Sequence, residues 1–307
     1  MAVAIILIAV IIAALIGIYA SYYKTFYSPH KDMSETVSPS VIKDQVYGRE
    51  LQKLIDQICE TPCEYVSIRS YDGLKLSARY YKGNDDMPLC ICFHGYRGSA
   101  VRDFSAIGLY LIGKGYNVLN VDERAHWRSE GHTITFGIKE RYDVLSWINY
   151  SNERFGADIP IYLFGISMGG GTVLMASGLD LPNNVKAILA DCPFNSPKDS
   201  IKHVCKKIHL NPTLSWPIVW LAAAIYGHFN VSETTAAEEV KKTKQPILIM
   251  HGEGDDFVPM YMSKEVKDAN PDMVEWHSFP KAGHGMSYFF DKERYLAILD
   301  EFMERNK

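Results

Sequence analysis

Hydrophobic residues occupy nearly every position from 2 to 23, and three tyrosines lie near the end of this run, just before Lys24. About 20 consecutive apolar residues are enough to cross a bilayer as a helix, and tyrosine is enriched where such helices leave the membrane. No basic residue precedes the run, which is longer than the apolar part of a cleaved signal peptide. The pattern therefore predicts a retained, single-pass transmembrane anchor over residues 1–24.

The spacing of apolar and polar positions changes after this segment. Residues 25–45 are polar and contain two prolines, and residues 46–59 carry leucine and isoleucine at helical spacing. Together they predict a stem or linker with one helix over residues 25–62. Residues 64–70 and 75–81 then alternate between apolar and polar positions around a Tyr-Asp-Gly turn, which predicts a hairpin.

Continuous apolar runs alternate with helical patterns through most of the remaining chain. Such runs are typical of strands that are buried on both faces, and their alternation with helices indicates a mostly parallel central sheet flanked by helices. The predicted central strands are residues 89–93, 117–121, 161–164, 186–190, 246–250 and 274–279. The predicted fold class is therefore α/β.

The alternation stops between residues 193 and 245, an interval longer than an ordinary connection. It contains an apolar segment over residues 216–226 that is too short to be an obvious second membrane span. We interpret residues 193–245 as a helical cap inserted between two parts of the core, residues 63–192 and 246–307.

Composition excludes one class of partner. The formal net charge is -4, so there is no excess of lysine and arginine to neutralise phosphates, and nucleic acid is not expected to bind. The six cysteines contain no Cys-x-x-Cys pair, and neither a metal nor a cofactor is predicted. A disulfide between Cys59 and Cys63 stays open. Otherwise reduced cysteines, and the lysines that follow the apolar run, favour a cytoplasmic catalytic domain. The pattern gives no indication of oligomeric state.

One predicted strand runs directly into the sequence Gly-x-Ser-x-Gly, which has Ser167 at its centre and a helical pattern after it. A serine on a sharp strand-to-helix turn projects its hydroxyl clear of the sheet edge. Side chains at positions 165 and 169 would collide with the neighbouring strand and helix, which explains why both positions are glycine. Ser167 is therefore predicted to be a nucleophile.

A serine hydroxyl is a weak nucleophile until a base accepts its proton, and that base needs an orienting acid. In a parallel sheet these groups lie on loops that follow later strands. One such loop contains Asp255 and Asp256, and the next contains His284 between two glycines. The chain order Ser, Asp, His is the order found in hydrolases with this type of turn. His284 is therefore predicted to be the base, and one of the two aspartates the acid.

These motifs resemble those of the α/β-hydrolase superfamily, in particular its membrane-anchored bacterial esterase and serine-aminopeptidase-like branch. Residues 251–259 are similar to the family pattern His-Gly-x-x-Asp-x-x-Val-Pro, and residues 283–284 to its Gly-His. The resemblance covers residues 64–305 but not the anchor or the stem. It implies an α/β-hydrolase fold, and it implies Asp255 rather than Asp256 as the acid.

Acyl transfer at Ser167 creates an oxyanion, which backbone N–H donors must stabilise. Met168 directly follows the nucleophile, so its N–H is predicted to be one donor. The loop after residues 89–93 contains Gly95, which lets the backbone turn close to the substrate. The resemblance implies that Tyr96 in this loop supplies the second N–H of an oxyanion hole.

Three tryptophans and one leucine are candidates for a substrate pocket. A further loop resembles the family sequence Asp-x-Arg-Gly-His-Gly-x-Ser-x-Gly, with Ala125 and Trp127 at two positions where the family has glycine. Trp127 is therefore predicted to change this loop and to form one pocket wall. In the cap, Trp216, Trp220 and Leu221 either line an apolar acyl or aromatic pocket or form the interior of the cap itself.

The combined prediction is a membrane-anchored serine hydrolase that cleaves the carboxylic ester of a small-molecule acyl substrate through an acyl-enzyme. Peptidase or aminopeptidase, thioesterase and acyltransferase activities are alternatives that use the same triad, because the shape of the pocket decides among them. A non-catalytic, membrane-tethered binding module is an alternative of another class, against which the complete triad argues.

Overall fold

A computed structural model describes residues 1–29 and 45–307. The middle of the predicted stem, residues 30–44, lies outside the described residues. The helices are α1 (Ala2–Thr25), α2 (Gln45–Glu60), α3 (Ala100–Gly113), α4 (Glu140–Phe155), α5 (Met168–Ala176), α6 (Pro197–Lys207), α7 (Pro212–Ile225), α8 (Ala236–Glu239), α9 (Met260–Ala269), α10 (Ser287–Phe290) and α11 (Lys292–Arg305). The strands are β1 (Glu64–Arg69), β2 (Lys75–Tyr81), β3 (Leu89–Phe93), β4 (Asn117–Asp122), β5 (Ile161–Ile166), β6 (Val185–Asp191), β7 (Ile247–Gly252) and β8 (Val274–Phe279).

Within the described residues, these strands form one sheet in the order β1-β2-β4-β3-β5-β6-β7-β8. β1 and β2 form the predicted antiparallel hairpin, β2 is also antiparallel to β4, and the remaining neighbours are parallel. β3 and β4 are buried along their whole length, as expected of strands covered by helices on both faces. The predicted α/β-hydrolase fold is confirmed.

The register of the sheet decides which loops meet. Phe93 at the end of β3 pairs with Gly165 of β5, and Ile166 pairs with Asp191 at the end of β6. Asp191 in turn pairs with Met250 of β7. Because the strands are parallel, their carboxyl ends share one edge of the sheet, which is where ligands bind in open α/β folds. The loops after β3, β5, β7 and β8 therefore lie side by side.

The described ends of the predicted stem pack on the folded core. Ile55 and Ile58 of α2 are buried in the same apolar cluster as Phe104 of α3. Directly after α1, Phe26 is fully buried and its carbonyl accepts a hydrogen bond of 2.8 Å from the Ile134 amide. The sequence pattern identifies the apolar face of a helix, but it does not identify what that face packs against.

The predicted cap divides into two parts. α6 and α7 lie over the sheet edge, whereas α8 and the 3₁₀ turn after it pack on the core. Glu239 at the end of α8 is buried and forms an ion pair of 3.3 Å with Arg141 of α4, and the Val240 carbonyl accepts a hydrogen bond of 2.8 Å from Asn270. The part of the insertion near the predicted site is therefore α6 and α7 alone.

Both ends of the chain are helical. Val3–Thr25 is a 23-residue helix whose length and apolar composition are sufficient to cross a membrane. The C-terminal helical stretch is divided into α10 and α11, because Asp291 leaves helical geometry with φ of -149°. Its side chain accepts a hydrogen bond from the Arg294 amide at 3.2 Å and so caps α11.

Candidate active site

Ser167 occupies the sharp turn between β5 and α5. Its backbone has φ of 55° and ψ of -113°, a combination that is strained for a residue with a side chain. A Cβ atom at Gly165 would overlap the backbone of Gly169, and one at Gly169 would overlap the carbonyl group of Phe93. Glycine is therefore required at both positions for the physical reason predicted from the sequence.

The three residues predicted to form the triad lie in one hydrogen-bonded chain. His284 Nε2 is 2.8 Å from Ser167 Oγ, and His284 Nδ1 is 2.7 Å from Asp255 Oδ2. Because a carboxylate only accepts hydrogen bonds, Nδ1 carries the proton and Nε2 is the acceptor for the serine hydroxyl. This tautomer has the geometry required for His284 to accept a proton from Ser167.

Asp255 is held by the backbone of its own loop. Its Oδ1 accepts hydrogen bonds from the amides of Phe257 at 2.9 Å and Val258 at 2.8 Å, and its side chain is fully buried. Burial raises the pKa of this carboxyl, but hydrogen bonds from His251 and His284 outweigh the burial, so that the pKa lies well below its usual value. Asp255 is therefore ionised wherever the protein is folded near neutral pH.

The neighbouring aspartate is in a different environment. The side chain of Asp256 is 80% exposed and forms an ion pair of 3.1 Å with Lys207 of α6. It does not contact His284 in the described contacts. The geometry therefore favours Asp255 over Asp256 as the partner of the histidine, in agreement with the implication of the family pattern.

His251, at the end of β7, supports Asp255 from the buried side. Its Nε2 lies 2.8 Å from the Val258 carbonyl and 3.2 Å from Asp255 Oδ2. Both partners are acceptors, so Nε2 carries the proton. Sequence reasoning identified His251 only as a motif position. Its role in orienting the carboxylate emerges from the fold, because the loop returns past the end of its own strand.

The loop after β3 is fixed on both sides of Tyr96. The Gly95 amide donates a hydrogen bond of 2.8 Å to Asp103 Oδ2, and the Arg97 amide donates one of 3.1 Å to His126 Nε2. Among the hydrogen bonds of the described residues, the Tyr96 amide is not used. Met168 is the first residue of α5, where helical N–H groups have no intrahelical acceptor. Both amides predicted for the oxyanion hole are therefore available as donors.

Two histidines shape this loop without contacting Ser167. His94 Nδ1 donates to the Gly95 carbonyl at 2.8 Å, and its Nε2 accepts from the Glu123 amide at 3.1 Å. Burial lowers the pKa of His94, so it stays neutral and structural. No sequence pattern links His126 to the oxyanion loop, because its acceptor role toward Arg97 depends on contact between two loops 29 residues apart.

Comparisons with known proteins agree with this arrangement. The sequence profile of the prolyl oligopeptidase family matches residues 109–307, which is more than half of the chain. The chain belongs to the prolyl oligopeptidase family. This membership confirms the predicted α/β-hydrolase superfamily, and it makes the protein an α/β hydrolase.

Several proteins are similar to this family member. The uncharacterized protein YqkD of Bacillus subtilis is 24% identical over 262 residues, which cover 84% of this chain and 83% of YqkD. The lysophosphatidylserine lipase ABHD12 of Danio rerio is 25% identical over 230 residues, which cover 70% of this chain and 58% of the lipase. The matched region thus spans only a little over half of that lipase.

Solved structures show the same fold at low sequence identity. The esterase PF2001 of Pyrococcus furiosus superposes with a TM-score of 0.65 and 21% identity, over 81% of this chain and 93% of the esterase. Est1E of Butyrivibrio proteoclasticus, solved with bound ferulic acid, gives a TM-score of 0.60 and 23% identity, over 78% of this chain and 98% of Est1E.

A cavity of about 590 Å³ opens beside Ser167 in this prolyl oligopeptidase family member. Such a volume is within the roughly 300–1,000 Å³ typical of small-molecule sites. The lining is mainly apolar and includes Phe136, Phe194, Ile201, Val204, Ile218 and Val219. No aspartate or glutamate of the described residues lines it, whereas Lys24 and Arg97 do.

The sequence left open whether the cap residues Trp216, Trp220 and Leu221 line the pocket or form the interior of the cap, and none of them lines the cavity. α7 directs Ser215, Ile218 and Val219 into the cavity, and Trp216, Trp220 and Leu221 are absent from its lining. The Trp216 ring instead lies 5.9 Å from each of two lysine ammonium groups on α6, and Trp220 is 41% exposed. An apolar pocket next to α7 was predicted, but the helix is rotated so that other side chains form it.

Trp127 is also absent from the cavity lining. Its ring lies 5.8 Å from the guanidinium of Arg79 on β2. Ala125 and Trp127, which replace two family glycines, have φ of 63° and 44°. Both positions therefore adopt the left-handed backbone that favours glycine, and Trp127 does not form a wall of the cavity.

A group of ligand-type atoms surrounds the proposed base. One ligand atom each from Cys192, Asp255 and His284 lies within 4.8 Å of the others. Burial raises the pKa of the Cys192 thiol, so it stays protonated, whereas metal binding requires the thiolate. Asp255 and His284 are already bonded to each other. The donor set therefore favours the hydrogen-bonded chain with Ser167 over metal binding.

Proposed function

We propose that this protein is a serine hydrolase that cleaves carboxylic esters with an apolar acyl group. The observation that carries the proposal is the continuous hydrogen-bonded chain Asp255–His284–Ser167 at the wall of an apolar cavity. Membership of an α/β-hydrolase family supports hydrolysis in general. Ester as the bond that is cleaved is our inference from the cavity.

In the proposed mechanism, Ser167 Oγ attacks the acyl carbonyl carbon while His284 Nε2 accepts the hydroxyl proton. Asp255 keeps Nδ1–H in place and stabilises the imidazolium that forms. The amides of Tyr96 and Met168 donate hydrogen bonds to the oxyanion. His284 then gives its proton to the departing alkoxide, and an acyl-Ser167 ester remains. Water, deprotonated by His284, releases the acid by the same steps.

The lining of the cavity supports an acyl chain as the recognised group. Its apolar side chains favour a hydrocarbon, and the cations Lys24 and Arg97 without a lining carboxylate favour an anionic or neutral head group. One relative is named a lysophosphatidylserine lipase. We therefore propose that the substrate is an ester that carries one acyl chain and an anionic head group.

Peptide hydrolysis is the second candidate, since the family takes its name from an oligopeptidase. An aminopeptidase must pair the substrate's ammonium group with a carboxylate, and the described lining offers two cations instead. Thioesterase and acyltransferase activities remain compatible with the same triad. The cavity therefore favours an ester or thioester over a free peptide amino terminus.

We also propose that α1 anchors the protein in a membrane, with the catalytic domain on the cytoplasmic side as the flanking lysines predict. The burial of Tyr22 in the last turns of α1 supports retention of the helix rather than its cleavage, because removal would leave a gap in the core. Alkaline extraction should leave the protein in membranes. Recovery in the soluble fraction would contradict the anchor.

The test of the catalytic proposal uses a fluorophosphonate probe and a substrate panel. The probe should label the wild type and not Ser167→Ala. p-Nitrophenyl esters should be hydrolysed in preference to acyl thioesters, and both in preference to aminoacyl amides. Equal labelling of both proteins would contradict the nucleophile, and faster amide than ester cleavage would contradict the proposed substrate class.

A further inference from the structure

We propose that the last turns of α1 form a wall of the acyl cavity, and that α7 lies beside α1 in the same lipid leaflet. An acyl ester would then reach Ser167 directly from the bilayer. This inference deepens the proposed function and rests on it. In this view, the anchor is part of the substrate site in addition to its role in attachment.

The first observation is that α1 lines the same cavity as Ser167. Ala20, Ser21, Lys24 and Thr25 all belong to its lining. Residues four apart lie on the same face of a helix, and the two pairs 20/24 and 21/25 are neighbouring rows, so one side of the end of α1 is directed toward the cavity. A cavity formed only by the catalytic core and the cap would lack this wall.

The second observation is that the end of α1 is bonded to the loop that carries Tyr96. The Tyr96 hydroxyl donates to the Thr25 carbonyl at 2.8 Å, and Arg97 Nη2 donates to the carbonyls of Lys24 at 3.0 Å and Tyr27 at 3.1 Å. The last carbonyls of a helix have no intrahelical partner. Side chains of the proposed oxyanion loop therefore cap the membrane helix and hold it against the cavity.

The third observation concerns depth in the membrane. The hydroxyl of Tyr226, which follows α7, donates to the Leu15 carbonyl at 3.3 Å, and its ring lies 5.2 Å from that of Tyr19. Leu15 precedes Lys24 by nine residues, which is about 14 Å along a helix axis. With Lys24 at the membrane surface, the end of α7 lies inside the hydrocarbon, whose half-thickness is about 15 Å.

The fourth observation is an apolar rim on the outside of the cavity. Ile208, Leu210 and Ile218 line the cavity and are also 59%, 51% and 45% exposed, and Leu214 between them is 72% exposed. Contiguous exposed apolar side chains mark surfaces that contact a membrane or another protein. Because this rim continues from a helix long enough to span a bilayer, lipid is the occupant that we assign to it.

The main test compares the same substitution at two positions of α1 in the full-length protein. Ala20→Trp fills the cavity from the α1 side, whereas Ala14→Trp adds the same bulk at an exposed position that does not line it. We expect Ala20→Trp to lower kcat/KM for p-nitrophenyl palmitate by about tenfold or more, since overpacking is costly. Ala14→Trp should keep palmitate hydrolysis within about twofold of wild type, because position 14 does not line the cavity.

The outcomes separate this inference from the proposed function. Equal palmitate hydrolysis by the two variants, with an active wild type, would overturn the inference alone. A wild type that hydrolyses no p-nitrophenyl ester and is not labelled by fluorophosphonate would overturn the proposed function. If Ala20→Trp does not fold, Ala20→Leu makes the same comparison with Ala14→Leu.

Cross-linking in the wild type needs no substitution in the cavity. A long-chain alkyl fluorophosphonate with a diazirine on its chain should react with Ser167 and, on illumination, attach to the peptide that contains residues 20–25. Attachment confined to other peptides would contradict the α1 wall.

The lipid contact of the rim is tested with Leu214→Glu, since Leu214 does not line the cavity. We expect slower hydrolysis of an acyl ester presented in phosphatidylcholine vesicles and unchanged hydrolysis of soluble p-nitrophenyl acetate. Unchanged vesicle hydrolysis, together with a loss of dimers in detergent, would show that a second copy of the chain covers this face instead.

Discussion

The Tyr96 side chain donates a hydrogen bond of 2.8 Å to the backbone carbonyl of Thr25, so one residue joins the proposed oxyanion hole to α1. Its amide is a proposed oxyanion donor, while its hydroxyl caps α1. A change in the side chain that spares the backbone can therefore separate the two roles.

Tyr96→Phe should reduce kcat modestly. The substitution removes the bond to Thr25 but keeps the Tyr96 amide and the ring that stacks on Phe136 at 5.0 Å. The loss of a hydrogen bond that contributes about 1 kcal/mol corresponds to a decrease in kcat of about fivefold. Steady-state hydrolysis of p-nitrophenyl butyrate measures this effect. Tyr110→Phe, which removes a hydroxyl bonded to Asp300 on another face, is the control and should leave kcat unchanged. Equal kcat values for the two variants would show that the link to α1 does not position the loop.

Asp255→Asn should almost abolish turnover, whereas Asp256→Asn should not. An amide at position 255 favours the wrong tautomer of His284, which lowers kcat about 10⁴-fold in other Ser-His-Asp hydrolases. Asp256 is exposed and paired with Lys207, so its variant should stay within about twofold of wild type. Measurement of kcat for both variants also tests the choice between two adjacent aspartates. A larger loss in Asp256→Asn would reverse the assignment.

Asp191→Asn should stabilise the protein at neutral pH but not at acidic pH. Burial raises the pKa of Asp191 to about 6. The hydrogen bond of 2.9 Å from Tyr295 lowers this pKa, but by less than burial raises it. The folded protein therefore binds a proton more tightly than the unfolded chain, and the wild type loses stability as pH rises from about 4 to 6. A pKa shift of this size corresponds to a change of about 3 kcal/mol at most in the free energy of unfolding.

The check is thermal unfolding in detergent micelles at pH 4.5 and pH 8. The difference in Tm between Asp191→Asn and wild type should grow by several degrees from the lower pH to the higher, because asparagine does not ionise. Asp272→Asn, at an exposed position before β8, is a control whose Tm difference should stay constant. A constant difference for Asp191→Asn as well would mean that Asp191 does not titrate in this range.

Gly169→Ala should remove fluorophosphonate labelling, because its Cβ would overlap the Phe93 carbonyl group and displace the turn that carries Ser167. Gly113→Ala is the matched control, since no atom lies within 4 Å of its added Cβ. That substitution, in α3, should keep full labelling and raise stability by about 0.5–1 kcal/mol. Labelling of Gly169→Ala at the wild-type rate would contradict the close approach of β3 and α5.

The residues that the sequence placed at strand ends and that the structure brings together have a local physical cause for their positions. Gly165 and Gly169 are required by a close approach within one strand–turn–helix unit, and Asp255 and His284 each follow a strand whose carboxyl end must lie at the shared edge. Periodicity and chain order are enough to place such residues. The hairpin and the parallel strands were found in the same way.

The predictions that failed depend on packing between distant segments. The segment around Trp216 and Trp220 is apolar on most sides, so no amphipathic direction indicates which side chains face the cavity. The roles of His126 and Asp103 in fixing the loop around Tyr96 arise from contacts between separate loops. The contribution of Ala20 to the cavity arises from contact between a predicted anchor and the core. None of these contacts leaves a periodic signal in the sequence.

The burial of Phe26 immediately after α1 leaves no free tether between the proposed membrane segment and the catalytic core at that point. A membrane enzyme attached in this way moves only laterally, and its active site stays at a fixed height. Its turnover should follow the mole fraction of substrate in the surface rather than the total concentration in the suspension. Dilution of the substrate with inert lipid at constant bulk concentration should therefore slow the reaction.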